Sequence, residues 1–184
     1  ANSNKAINGG ALFMTGGNPV EITNTTLSYN EAISGGGINV VAKSAGMRVD
    51  ITNSTISGNH VTDSGAGIET NAPMYLTNVT IANNMKDSNN KGAGYNTGPD
   101  VPVTFRNVLL DNNLHDGDVS TGFTESSNCG LKSPGVFNLA SQGGNISSDD
   151  TCQLNASLGD QEDTDPLLES LADNNAGLTG TTLT

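Results

Sequence analysis

Four segments of this chain are versions of one another. VEITNTTLSYN (20–30), VDITNSTISGN (49–59), MYLTNVTIANN (74–84) and VTFRNVLLDNN (103–113) align residue by residue, with starts 29, 25 and 29 residues apart. A glycine-bearing motif precedes each one: GGAL (9–12), GGGI (35–38), GAGI (65–68) and GAGY (92–95). A unit this short cannot bury a hydrophobic face alone, so the units must stack and share a core. The hydrophobic fraction of only 34% would otherwise suggest disorder. Four composite units in register argue against that. The period suits one coil of a right-handed parallel β-helix, an all-β solenoid in which each coil lays down three short strands separated by bends.

In that frame equivalent positions stack into columns. The apolar ones are Leu12/Ile38/Ile68/Tyr95, Val20/Val49/Met74/Val103, Ile22/Ile51/Leu76/Phe105 and Leu27/Ile56/Ile81/Leu110. Residues two apart on a strand, such as Val20 and Ile22, share a face, so these columns form the expected core. Two asparagine columns mark the bends. Asn24, Asn53, Asn78 and Asn107 fall between strand-like runs, where asparagine tolerates left-handed backbone angles and stacked amides can satisfy bend backbone that would otherwise be buried unpaired. Asn30, Asn59, Asn84 and Asn113 close the third strand of each coil. Three members of the first column also begin glycosylation sequons (Asn24-Thr25-Thr26, Asn53-Ser54-Thr55, Asn78-Val79-Thr80). The column also contains Asn107, which is followed by Val108 and Leu109, so the ladder reading is preferred to the glycan reading.

Charge narrows the function classes. With 19 acidic and 7 basic residues the formal net charge is −12, which opposes binding to nucleic acid or to anionic lipid. No apolar run approaches the roughly 18 residues of a helical membrane span, so direct membrane insertion is not expected. At the start of the chain, Asn4-Lys5-Ala6-Ile7-Asn8-Gly9-Gly10 aligns with Asn30-Glu31-Ala32-Ile33-Ser34-Gly35-Gly36. Asn4 is therefore expected to be the last ladder asparagine of a coil. Either further coils of a longer β-helix or another molecule is expected to cover that end.

The alternation of GGAL, LSYN, GGGI, ISGN, GAGI, IANN and GAGY resembles the bacterial surface β-helix repeats of polymorphic outer-membrane proteins and of secreted proteins with a choice-of-anchor C-terminus. SSNCG (126–130), VFNL (136–139), DDTC (149–152) and DPLLESLADN (165–174) resemble the distal part of the second group. The resemblance implies a secreted or cell-surface protein and carries no catalytic signature; no sorting motif or anchor is expected after Thr184.

The chain reads as one domain, with regular coils over 1–113 and irregular terminal coils and a cap over 114–184. Residues 114–127 read as a long loop or an irregular coil. Cys129 and Cys152 are the only cysteines. Their spacing of about one coil, in a chain with an exported look, favours one disulfide tying the cap; two buried free thiols are the alternative. Asp160, Glu162, Asp163 and Asp165 form a candidate calcium set, with a solvated acidic loop as the competing reading.

No residue stands out as catalytic, and no organic cofactor is implied. Parallel β-helices include polysaccharide lyases and glycoside hydrolases, so a carbohydrate-active enzyme is the alternative function. Arg106 and Arg48 would be the basic candidates. Asp149 and Asp150 are adjacent, so on a strand they would point to opposite sides, against the two-carboxylate geometry; a solvated surface is expected for both. Outward threonines at 23, 52 and 77 suggest an ice-binding array, but the row breaks at Arg106. The leading expectation is a noncatalytic extracellular or cell-surface module for adhesion, scaffolding or head-to-tail assembly. Its expected partners are copies of itself, adjoining coils, extracellular carbohydrate or a host surface.

Overall fold

The computed structural model describes residues 1–88, 92–118 and 123–169. The chain winds as a parallel β-solenoid. Its first coil carries β1 (Leu12–Gly16), β2 (Val20–Thr23), β3 (Thr26–Ser28) and β4 (Glu31–Ser34). The next carries β5 (Ile38–Ala42), β6 (Val49–Ser57) and β7 (His60–Ser64), followed by β8 (Ile68–Thr70), β9 (Met74–Ala82) and β10 (Met85–Lys86). Below them lie β11 (Tyr95–Thr97), β12 (Val103–Asp111), β13 (Leu114–Asp118) and β14 (Phe123–Ser126). The last turns hold β15 (Cys129–Leu131), β16 (Leu139–Ser141), β17 (Ile146–Ser147) and a 3-10 turn at Ala156–Leu158.

Stacking these coils makes three sheets. One runs β1-β5-β8-β11-β15, a second β4-β7-β10-β13-β14, and the third contains β2, β3, β6, β9, β12, β16 and β17. Among the described residues all strand pairings are parallel except β13 with β14. The register reproduces every expected apolar column: Leu12 opposes Ile38, Val49 opposes Met74, Leu76 opposes Phe105 and Ile81 opposes Leu110. Ile38, Ile51, Ile56, Ile68, Ile81 and Leu110 are fully buried, and each such side chain contributes about 1.5–3 kcal/mol over its exposed state. Toward the lower end the column positions are aromatic, and Tyr95 packs edge-to-face on Phe105 with ring centroids 5.6 Å apart.

The long strands explain the sequon-like pattern. Asn24, Asn53, Asn78 and Asn107 all have φ between 50° and 54°, and this left-handed residue shifts the phase of the pleat. Ile51 and Ser54 therefore both point inward although they are three residues apart. Ser54, Val79 and Val108 form an inward column that a simple period-2 reading misses.

Two expectations need correction. Of the two readings for residues 114–127 the long loop fails: β13 continues the second sheet in parallel with β10 and β14 pairs antiparallel on its edge, an irregular coil, while 119–122 lie outside the described residues. The Asn24/Asn53/Asn78/Asn107 column does not satisfy buried backbone. It is solvent-exposed, and its amides bond to one another, Asn107 Nδ2 to Asn78 Oδ1 at 3.0 Å and Asn78 Nδ2 to Asn53 Oδ1 at 2.9 Å. The buried spine is the other column.

Candidate functional site

Polar groups inside the solenoid are organised first by that spine. Asn30, Asn59, Asn84 and Asn113 are fully buried. The Oδ1 of Asn30 accepts from both N and Nδ2 of Asn4, at 3.1 and 2.8 Å. Asn59 does the same for Asn30, and Asn84 for Asn59. Each Nδ2 also reaches a backbone carbonyl: Asn59 to Leu27, Asn84 to Ile56 and Asn113 to Ile81. The N–H groups of Asn30, Asn59 and Asn84 are the bend groups that would otherwise be orphaned. The spine continues from Asn113 to Asn128, and the Asn128 N–H donates to Asp149 Oδ2 at 2.8 Å.

The two aspartates singled out for other reasons are thus structural. Asp149 is 8% exposed rather than solvated, and it also accepts from the Ser126 hydroxyl and from the Thr151 N–H and hydroxyl. A shorter ladder ends the same way. Val108 N–H donates to Asn145 Oδ1, and Asn145 donates from N and Nδ2 to Asp160 Oδ1 at 2.9 and 3.0 Å. Ser141 and the Asn155 N–H occupy Asp160 Oδ2. Burial pushes the Asp160 carboxyl up, but the bonds from Ser141, Asn145 and Asn155 more than offset it and leave it below its ordinary value.

Asp160, Glu162, Asp163 and Asp165 are not brought together around one point. Glu162 accepts from the Leu154 N–H and Asp165 from the Leu167 N–H. Among the described residues no three His, Cys, Asp or Glu side chains converge as a metal site. Cys129 and Cys152 are joined in a buried disulfide. It fastens the segment after β17 to β15, which itself pairs with β11. Arg48 is paired with Asp50 at 2.8 Å and lies over the Tyr75 ring, whereas Arg106 is exposed in register with Thr77.

Among several concavities of the described residues, a groove of about 410 Å³ lies between the first and second sheets. Asn39, Glu69 and Asn96 are in register on β5, β8 and β11 and line it. They stand beside the corner glycines: at Gly65, where φ is +59°, a Cβ would come within 2.7 Å of Glu69 Oε2. Glu69 is only 1% exposed. Its carboxylate accepts from Asn96 Nδ2 at 2.8 Å and forms an ion pair with Lys132 Nζ. Burial holds the Lys132 amine below its ordinary value, partly opposed by the charge of Asp63. Burial likewise lowers the Lys86 amine to about 8, again against Asp63.

Sequence reasoning passed over these residues. Glu69 occupies an outward strand position like many others, and Lys132 comes from the region where the repeat has lapsed. One signal was available, the recurrence of Asn39, Glu69 and Asn96 four residues after Gly35, Gly65 and Gly92. Comparison with protein-family models, curated proteins and solved structures finds no match for this chain.

Proposed function

We propose that the chain is a noncatalytic extracellular or cell-surface β-helix module, working in adhesion, matrix or surface scaffolding, or head-to-tail assembly. The observation that carries this reading is the buried amide spine from Asn30 through Asn128 to Asp149. Most of the buried side-chain chemistry joins coil to coil, which suits a stiff rod that presents long surfaces. The Cys129–Cys152 bond supports an oxidising location such as the outside of a cell. Within the described residues β1 pairs only with β5, so its other edge suits a further coil or a second copy.

The test is turnover. Purified protein incubated with pectin, alginate and neutral polysaccharides, with and without calcium, is expected to release no unsaturated product by ultraviolet absorbance and no new reducing ends. Product formation abolished by Arg106→Ala would replace the module reading with a carbohydrate-active enzyme.

A further inference from the structure

The groove beside Glu69 has four properties that together specify a ligand. It is long: Phe13, Asn39, Glu69, Asn96 and Leu131 bring to it one residue from each strand of the first sheet. Four strand spacings of about 4.8 Å make about 19 Å along the coil axis. Its charge is small and mostly internally paired: Asp63, Glu69 and Lys132 line it, and Lys132 is tied to Glu69 in the ion pair. Its polar groups are of both kinds. Lys132 and the amides of Asn8 and Asn39 can donate, Ser34 and Ser64 can do either, and Asp63 can accept. Asn96 is 2% exposed, and its Oδ1 has no hydrogen-bond partner among the described residues. The fourth property is an aromatic face, since Phe13 is 51% exposed at one end of the groove.

A polyanionic strand is disfavoured by a chain with a net charge of −12. A short, compact ligand would leave most of the groove empty. A hydroxyl both donates and accepts, and the C–H face of a sugar ring is apolar, so a saccharide matches the mixture of amides, hydroxyls, carboxylate and exposed aromatic. The geometry points to this groove as a binding site for an uncharged oligosaccharide lying along the coil axis. Lys132, held against Glu69, is the fixed donor, the exposed Asp63 carboxylate the acceptor and Phe13 the stacking platform. The inference rests on the adhesion reading for its context and adds to it the partner's chemistry and the place where it binds.

The experiment is an amide-resolved NMR titration of the full 18.8 kDa chain. The probes are cellohexaose, chitohexaose and maltohexaose, their disaccharides, and a hexagalacturonate as the acidic comparator. At least one neutral hexasaccharide is expected to shift the amides of Glu69 and Asn96, to bind more tightly than its disaccharide, and to outbind the uronate. Phe13→Ala, at an exposed position, is expected to weaken binding about tenfold, the loss of one aromatic contact. Lys132→Met, checked for folding by circular dichroism, should weaken it as well. The inference is overturned if no neutral hexasaccharide moves the groove amides, if both variants bind like the parent, or if the uronate binds as well as the neutral sugars. Failure to bind without turnover removes this site and leaves the module reading standing. Cleavage of the probes removes the module reading and leaves the site.

Discussion

Asn59→Ala tests the spine at its most connected point. The wild-type amide takes part in four buried side-chain hydrogen bonds: Oδ1 accepts from Asn30 N and Nδ2, and Nδ2 donates to Leu27 O and Asn84 Oδ1. Truncation leaves the buried Asn30 N–H without its acceptor, while the Leu27 carbonyl stays in the β3/β6 ladder. An orphaned buried N–H costs about 1–3 kcal/mol and each of the other three lost bonds about 0.5–1.5 kcal/mol, together about 4 kcal/mol. For a chain of this size that lowers the melting temperature by about 8–16 °C. Asn53 provides the contrast, because it is exposed and its side chain accepts one solvent-accessible bond from Asn78. Asn53→Ala is expected to cost about 1–2 kcal/mol, mostly from forcing alanine into the left-handed region. Asn53→Gly, which fits φ of 50° freely, should cost less than Asn53→Ala. Thermal and urea unfolding followed by circular dichroism measures all three. If Asn53→Ala destabilises as much as Asn59→Ala, the buried spine does not hold the coils together as argued.

Reduction of Cys129–Cys152, or replacement of both by serine, should destabilise by about 3 kcal/mol, the chain-entropy value for a loop of this length; peptide mapping without reductant should recover the linked pair, and two alkylatable thiols in native protein would refute it. The Asp160 carboxyl lies below its ordinary value in the folded state, so it stabilises above the unfolded value of about 3.9 and that stability disappears as pH falls through the lower folded value. Asp160→Asn should flatten this acid limb in unfolding measured across pH, and an unchanged limb would contradict the assignment. Lys86 behaves in the opposite direction: with its folded value lowered to about 8, the unfolded chain binds more protons between there and about 10.4, so stability rises with pH across that window. Lys86→Met should remove the rise, and a parent protein that loses stability over the same window would show the lysine is not desolvated.

The coil and its core were legible because repetition converts sequence into geometry. Once 20–30, 49–59, 74–84 and 103–113 align, parallel stacking puts Ile22 on Ile51 and Leu76 on Phe105 without further information. The left-handed bend at Asn24, Asn53, Asn78 and Asn107 follows from the residue type. Which asparagine column is buried was not legible, because both repeat with the same period. The answer depends on whether the bend turns its side chain toward the core or toward water, a matter of backbone phase that only the wound coil sets. The same holds for Asp149 and Asp160. They follow the last regular repeat, and their roles as ladder ends exist only because Asn128 and Asn145 stack directly against them. The groove depended most on the tertiary structure. Glu69, Asn96 and Lys132 are separated by 27 and 36 residues in the chain, and they meet because parallel stacking places successive coils one strand spacing apart.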